Sequence, residues 1–187
     1  MPRLLTYSSQ ELLPELKCQI LSFLRLNWPE GFRGENQLRD WISPAEEHPV
    51  HCVLVEQDII ISHTEVKWIY FDHADETYKA YGLSGVFTYP AFRGQGYGTQ
   101  IVRAGTDLIR QSDADVGMLW CNQRLEGFYA QNGWAPMRAA VTLIVREHGS
   151  VSHTAKELLM MLFVSEKGKR GRAAFERDPV HWVDDTW

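Results

Sequence analysis

The sequence predicts an α/β fold in a single domain spanning residues 1–187. Three observations predict it. Residues 50–70 read as antiparallel strands, rich in β-branched and aromatic residues and broken by Gln57-Asp58. Residues 83–89 form a further apolar run, which Pro90 stops because proline has no N–H for a ladder. A turn with glycines at 94, 96 and 98 follows. Helical spacing then starts at Thr99 and runs through Ile101, Val102, Gly105, Leu108 and Ile109.

In chain order, Ser8 or Ser9 is placed to cap a helix whose apolar positions are Leu12, Leu13, Leu16, Ile20, Phe23 and Leu24, with Pro14 in its first turns. Trp28-Pro29-Glu30-Gly31 breaks it, and a short second helix is expected over residues 36–42, ahead of Ser43-Pro44. Strands over 51–56 and 59–70 come next, then a polar turn at 73–76 that leads into the central strand. After the helix over 99–111 come a loop at 112–115, a strand over 116–121 and a short helix over 127–131, ended by Asn132-Gly133. Residues 139–145 and 158–164 are strand-like, joined by a polar loop over 146–156. Residues 165–187 read as a basic loop, chiefly 167–172, and an acidic, aromatic tail.

Composition narrows the function classes. A chain of 187 residues buries roughly 70% of its unfolded surface, so no disulfide is required. The net charge of −5 argues against a nucleic-acid partner held by phosphate neutralisation. No apolar run reaches ~18 residues, so no membrane partner is expected, and the opening M-P-R-L-L-T-Y lacks the apolar core of a signal peptide. Cys18, Cys52 and Cys121 are odd in number and widely spaced, which suggests reduced thiols in a cytoplasmic setting. There is no H-E-x-x-H and no paired Cys-His set, so no catalytic metal is expected.

The chemistry is concentrated in residues 86–99, V-F-T-Y-P-A-F-R-G-Q-G-Y-G-T. A strand, a glycine turn and a helix start make an anion site. The first helical turn leaves N–H groups unpaired, its dipole favours negative charge, and glycine lets the main chain approach a phosphate. Arg93 adds a fixed positive charge. The expected ligand is a pyrophosphate cradled by Arg93, Gly94, Gln95, Gly96, Tyr97, Gly98 and Thr99. No Lys-Ser or Lys-Thr follows, as a P-loop requires, and the G-x-G-x-G spacing differs from the dinucleotide fingerprint.

The string R-G-Q-G-Y-G resembles the R/Q-x-x-G-x-G/A loop of the GNAT superfamily of N-acetyltransferases, carried here by Arg93, Gly96 and Gly98. Downstream, L-E-G-F-Y-A-Q-N-G-W resembles that superfamily's F-Y-x-x-x-G-F/W pattern, in the family's order. The resemblance covers residues 50–145. It implies a mixed, mostly antiparallel sheet of six or seven strands with helices on both faces, and acetyl-CoA as co-substrate. It implies that the main chain of Val86, Phe87 and Thr88 holds the pantetheine arm and thioester, with Asn122 either a further contact or a turn residue. Tyr129 matches the tyrosine that sits near the thioester sulfur. A phenol is protonated at neutral pH and can give its proton to a departing thiolate.

An acceptor ammonium must also lose a proton. Many relatives carry a Glu on the central strand where this chain has Ser84. Ser84 can order a water, and Glu65 or His63 on the preceding strand are the candidate terminal acceptors. Ser84 and Gly85 border the acceptor, and Trp28, Phe32 and Trp41 stand where the family builds one wall of its pocket. The ending D-x-W and the overall layout further resemble aminoglycoside 2′-N-acetyltransferases. By that resemblance Asp185 and the carboxylate of Trp187 bind substrate ammonium groups, and the acceptor is a small, cationic amine. A protein or peptide amine, or an acyl-CoA-binding module without turnover, are the alternatives. Members of the superfamily are often homodimers.

Overall fold

The computed structural model describes residues 1–138, 142–146, 149–153 and 157–182. Along the chain run β1 (Arg3–Ser8), α1 (Pro14–Asn27), β2 (Val50–Glu56), β3 (Ile59–His73), β4 (Glu76–Thr88), α2 (Tyr97–Gln111), β5 (Val116–Asn122) and α3 (Glu126–Ala130). Then come β6 (Ala135–Met137), β7 (Thr142–Arg146), β8 (Gly149–His153), β9 (Glu157–Phe163), α4 (Glu166–Arg177) and β10 (His181–Trp182). Seven strands form one sheet in the order β1-β2-β3-β4-β5-β9-β6. Its pairs are antiparallel except β4 with β5.

Alternation along β2 sets the layers. Cys52 and Leu54 turn to one face and Val53 and Val55 to the other, and all four are buried. A strand buried on both faces needs a layer on each. Helix α1 covers Val53 and Val55 with Leu16, Ile20, Phe23 and Leu24. Helix α2 covers Cys52 and Leu54 with Ile101, Val102 and Ile109. Full burial of each such aliphatic side chain contributes about 1.5–3 kcal/mol, so these two seams fix which face of β4 meets which helix. A third cluster, including Phe71, Tyr78, Val116 and Met118, is closed by Phe175 of α4. The mixed, mostly antiparallel sheet with helices on both faces is the architecture the sequence predicts.

Several elements differ from the sequence reading. Strand β1 has no alternating pattern and lies at the sheet edge, so periodicity does not reveal it. Helix α1 starts at Pro14, not at Ser8 or Ser9. Proline suits a first helical position, where its missing N–H costs nothing. Instead of a helix over 36–42 there are 3₁₀ turns at Pro29–Phe32, Gly34–Leu38 and Ala45–Glu47. Arg39, with ψ 140, leaves the helical region and ends the turn there.

The loop read over 146–156 contains β8, which pairs with β7. The two strand-like runs after residue 138 do not pair with each other. Strand β9 enters the main sheet between β5 and β6, while β7 lies between β10 and β8 in a separate three-stranded sheet.

The basic loop of 167–172 is a correction. Residues 167–172 lie inside α4, whose start is capped by Ser165 accepting from the Gly168 N–H at 3.0 Å. Glycine lowers helix propensity, but here packing overrides it. A Cβ on Gly168 would lie 2.0 Å from the Asp115 carbonyl oxygen, and one on Gly171 would lie 2.3 Å from the Tyr78 hydroxyl. The glycines let α4 dock where larger residues cannot. Within the expected tail, His181–Trp182 pair with Leu143 and Ile144.

Candidate active site

Strands β4 and β5 are paired only where Ala80, Tyr81 and Gly82 face Val116, Gly117 and Met118. Both strands continue past that point. Thr88 at the end of β4 is held by Ser62 of β3, and Asn122 at the end of β5 by Glu157 of β9. Two strands held on their outer edges and unpaired on the inner ones leave a wedge. Its main-chain groups need another partner.

A bulge shapes the β4 side of the wedge. Glu65 faces Ser84 while His63 faces Phe87, so β4 carries one extra residue there. Gly85 takes φ +56, and a Cβ would press on the His63 ring at 3.3 Å. Side chains of β3 take up the freed carbonyls. Thr64 donates to Ser84 O at 3.0 Å, His63 Nδ1 to Gly85 O at 2.9 Å, and Ser62 to Phe87 O at 2.6 Å. Phe87 stacks on Phe23 with centroids 3.9 Å apart, so its side chain belongs to the core and only its main chain borders the wedge.

The glycine loop sits at the mouth of the wedge. Gly94 and Gly96 take φ +76 and +83, and a Cβ on either would meet nothing within 4 Å. The space beside both is open. Helix α2 begins at Tyr97 with Gly96 at its N-cap, and no side chain caps it. Its first internal bond here runs from Gln100 N–H to Gly96 O at 3.1 Å. Among the described residues no acceptor meets the N–H groups of Gly94, Gln95, Gly96, Tyr97, Gly98 and Thr99. Arg93 is exposed, and its Nε donates to Thr88 O at 3.0 Å, which ties the loop to the end of β4.

Helix α3 closes the opposite side. The Phe128 ring lies 3.4 Å from where a Gly98 Cβ would be, so Gly98 permits α3 to pack on the first turn of α2. Next to it, Tyr129 is buried. Its hydroxyl makes no hydrogen bond among the described residues. Burial, and secondly the Cys121 thiol at the divergent end of β5, push its pKa well above the ordinary phenol value. The proton therefore stays on the phenol at neutral pH. Asn122 is exposed, and its Oδ1 accepts from Arg124 N–H at 3.0 Å, which makes it the cap of the turn before α3.

On the α1 face a buried polar cluster backs the bulge. Glu65 Oε1 accepts from Ser84 at 3.0 Å and from Ser43 at 2.5 Å. Glu65 Oε2 is buried with no hydrogen-bond partner, and His51 Nδ1 lies 3.7 Å from it. Lys67 pairs with Glu47 at 2.6 Å and lies 4.0 Å from Glu65. Burial raises the Glu65 pKa, but Lys67, His51, Ser43 and His63 outweigh it and hold the carboxyl below its ordinary value.

The two histidines are neutral. His63 is pulled down to about 3 by burial and by His51, and burial lowers His51 against the opposing pull of Glu65. Because His63 Nδ1 donates to a carbonyl, its Nε2 must accept from His51 Nδ1 at 3.2 Å, and His51 Nε2 then accepts from Ser9 at 2.9 Å.

The chain thus brings together Ser84, Gly85, Val86, Phe87, Thr88, the 93–99 loop and the α3 tyrosine. Asp185 and Trp187 lie outside the described residues. A cavity of about 490 Å³ opens beside the polar cluster, lined among others by Ser9, Trp41, Ser43 and His51. A recess of about 590 Å³ between Asp72 and Asp178 holds none of these groups and is remote from them. Among the described residues no cluster of three His, Cys, Asp or Glu is arranged to hold a metal ion, and no helix is long and apolar enough to cross a membrane.

The model of the acetyltransferase (GNAT) family matches residues 18–134, which include the wedge, the loop and α3. The chain belongs to this family. As an acetyltransferase it shares its fold with solved structures of low sequence identity. One is YhbS of Escherichia coli, a GNAT family N-acetyltransferase in complex with CoA. It has a TM-score of 0.61 at 14% identity, over 97% of this chain and 91% of that one. A second is ElaA of Escherichia coli, with a TM-score of 0.58 at 16% identity, over 86% and 99%. A third is a GNAT family acetyltransferase from Brucella melitensis in complex with acetyl-CoA, with a TM-score of 0.56 at 16% identity, over 87% and 89%. No curated protein sequence matches the chain.

Sequence reasoning singled out Ser84, Glu65 and His63 but missed His51, Ser43 and Ser9. The signal was present in part. His51 and His63 stand in strands that pair, yet only the antiparallel register brings their rings together. Ser43 comes from an irregular segment whose path no periodicity reveals.

Proposed function

We propose that this acetyltransferase moves the acetyl group of acetyl-CoA to the primary amine of a small acceptor, by direct attack. Bound acetyl-CoA supplies a thioester, an acyl group activated towards an amine. The observation that carries the reading is the wedge. Beyond Gly82 and Met118 the strands offer unpaired main-chain edges, beside a loop of unmet N–H groups and a protonated phenol.

The residues fit the co-substrate. The open sides of Gly94 and Gly96 give a pyrophosphate access to the loop amides, and Arg93 stands at the same mouth. The inner edge of β4 from Val86 to Thr88 offers ladder positions to the amides of a pantetheine arm. Tyr129 is the general acid. Its unbonded hydroxyl donates to the departing sulfur, and burial keeps it protonated until then.

The acceptor ammonium loses its proton to Ser84 Oγ, which passes its own proton to Glu65 Oε1 over 3.0 Å. A serine hydroxyl already donating to a carboxylate needs no rearrangement to relay. The carboxylate that relatives place on the central strand is thus supplied by the neighbouring strand, in register. Glu65 also supports an ammonium-bearing acceptor. The finer expectation of an aminoglycoside-like polycation depends on Asp185 and Trp187. A reducing, cytoplasmic setting accords with Cys18, Cys52 and Cys121, none in a disulfide.

The test is thiol release from acetyl-CoA against a panel of small amines, aminoglycosides and basic peptides. Turnover on small amines supports the proposal. Activity on peptides alone supports a protein acceptor, and coenzyme A binding without thiol release supports a non-enzymatic module.

A further inference from the structure

Two unmet polar groups stand on the acceptor side, and they are of opposite kind. One is Glu65 Oε2, a buried carboxylate oxygen without a donor. The other is Arg39 Nε, a buried N–H without an acceptor.

The guanidinium of Arg39 lies over two aromatic rings, 4.3 Å from the centroid of Phe32 and 4.5 Å from that of Trp41. Arg25 lies over the same Phe32 ring at 4.8 Å. Among the described residues neither arginine forms an ion pair, although Asp40 is next in sequence to Arg39 and pairs with Lys17 instead. Two cations therefore converge on one ring without a carboxylate between them. Burial makes this unfavourable for Arg39, Glu65 is the charge that offsets it, and Arg25 adds to the cost.

The chain links the two groups. Residues 39–43 run from Arg39 through Trp41, whose indole stacks on Arg39, to Ser43, whose hydroxyl donates to Glu65. The four residue steps from Arg39 to Ser43 span at most about 14 Å when extended. A buried N–H without an acceptor is costly, and a charged one more so. A carboxylate is the group that meets a guanidinium fork. Contact with two aromatic rings restricts that fork before anything binds.

We propose that the acceptor is a small amine that also carries a carboxylate, its ammonium directed to Ser84 and Glu65 and its carboxylate to Arg39, with Arg25 adding charge. The proposal rests on the acetyl-transfer reading for the ammonium end. Arg39 is a substrate-binding residue on this account and takes no part in proton transfer.

The experiment compares glycine, β-alanine, γ-aminobutyrate and δ-aminovalerate, each against its carboxamide, by thiol release from acetyl-CoA and by calorimetric titration into the full chain. At least one acid should exceed its amide by about tenfold or more in kcat/KM and in affinity, the spacing reporting the distance between the two anchors. Arg39→Gln should raise KM for that acid about 10- to 100-fold, leaving its amide and acetyl-CoA unaffected. Arg39→Lys, which keeps charge but loses the planar fork, should recover only part. Unchanged acetyl-CoA affinity in these variants reports that they fold.

The same anion could be the 3′-phosphate of coenzyme A. Coenzyme A and dephospho-coenzyme A are therefore titrated in parallel. Arg39→Gln weakening coenzyme A but not its dephospho form overturns the proposal. Equal behaviour of every acid and its amide also overturns it, even where amines are acetylated. Arg39-dependent binding of an acid without any thiol release keeps the site and removes the enzymatic reading instead.

Discussion

Ser84 and Glu65 face each other across the β3–β4 ladder, and the Ser84 hydroxyl donates to Glu65 Oε1 at 3.0 Å. On the proposed reading, this puts a carboxylate one strand away from the acceptor amine, with a single hydroxyl between them. General base catalysis of this kind contributes about 10²–10⁴-fold. Glu65→Gln should lower kcat by about 10²-fold at neutral pH, and Ser84→Ala by somewhat less. Both losses should shrink as pH rises towards the pKa of the acceptor amine, because a neutral amine needs no base. A pH–rate profile checks this. A deficit that stays constant with pH would show that the pair shapes the site without moving a proton.

Tyr129→Phe removes one oxygen from a buried ring and leaves its packing. We expect kcat to fall about 10- to 100-fold, with KM for acetyl-CoA unchanged. The wild-type rate should hold on the alkaline side to about pH 10, since burial and Cys121 raise the phenol pKa. Steady-state kinetics from pH 7 to 10 give both answers. A wild-type limb that falls near pH 8 would mean that another group is the acid.

The neutral imidazoles make stability depend on pH. Unfolded histidines take protons near pH 6.5, whereas folded His63 waits until about 3 and folded His51 is also shifted down. Between these values the unfolded state binds more protons. Stability is therefore whole above pH ~6.5 and falls as pH drops through the window, by up to about 1.4 kcal/mol per pH unit for each imidazole. Glu65, also shifted down, adds a loss in the same direction below its ordinary value. Denaturant melts between pH 7 and 4.5 should show this slope, and His63→Asn should flatten it. A midpoint constant over that range would contradict the buried, neutral assignment.

Gly168→Ala tests how α4 is held. Helix propensity alone makes alanine about 1 kcal/mol better than glycine. Here a Cβ would lie 2.0 Å from a backbone oxygen of Asp115. We expect destabilisation of about 1–3 kcal/mol by equilibrium unfolding. A neutral or stabilising result would return residues 167–172 to the solvated segment their composition suggests.

That contrast shows where the sequence was legible and where it was not. The loop and α3 announce themselves because glycine spacing and the F-Y pair are local, whereas the wedge is seen only once β4 and β5 are found paired over three residues. Helix α4 was hidden because its two glycines obey a packing demand made by Asp115 and Tyr78, distant in sequence. Strand β1 was hidden because an edge strand need not alternate. Glu65 was visible as a candidate, but choosing it over His63 required the register that faces it with Ser84 and the carbonyl that fixes the His63 tautomer. Arg39 was invisible, because a lone arginine in an irregular segment has no pattern to read.

The most direct test is the affinity for coenzyme A of the wild-type chain and of Gly96→Val, by titration calorimetry. Gly96 sits at φ +83, which a β-branched residue cannot adopt without strain, so the variant should turn the loop N–H groups away. The account predicts clear binding by the wild type and a loss of about tenfold or more in the variant. Equal affinities, or no binding by the wild type, would contradict it.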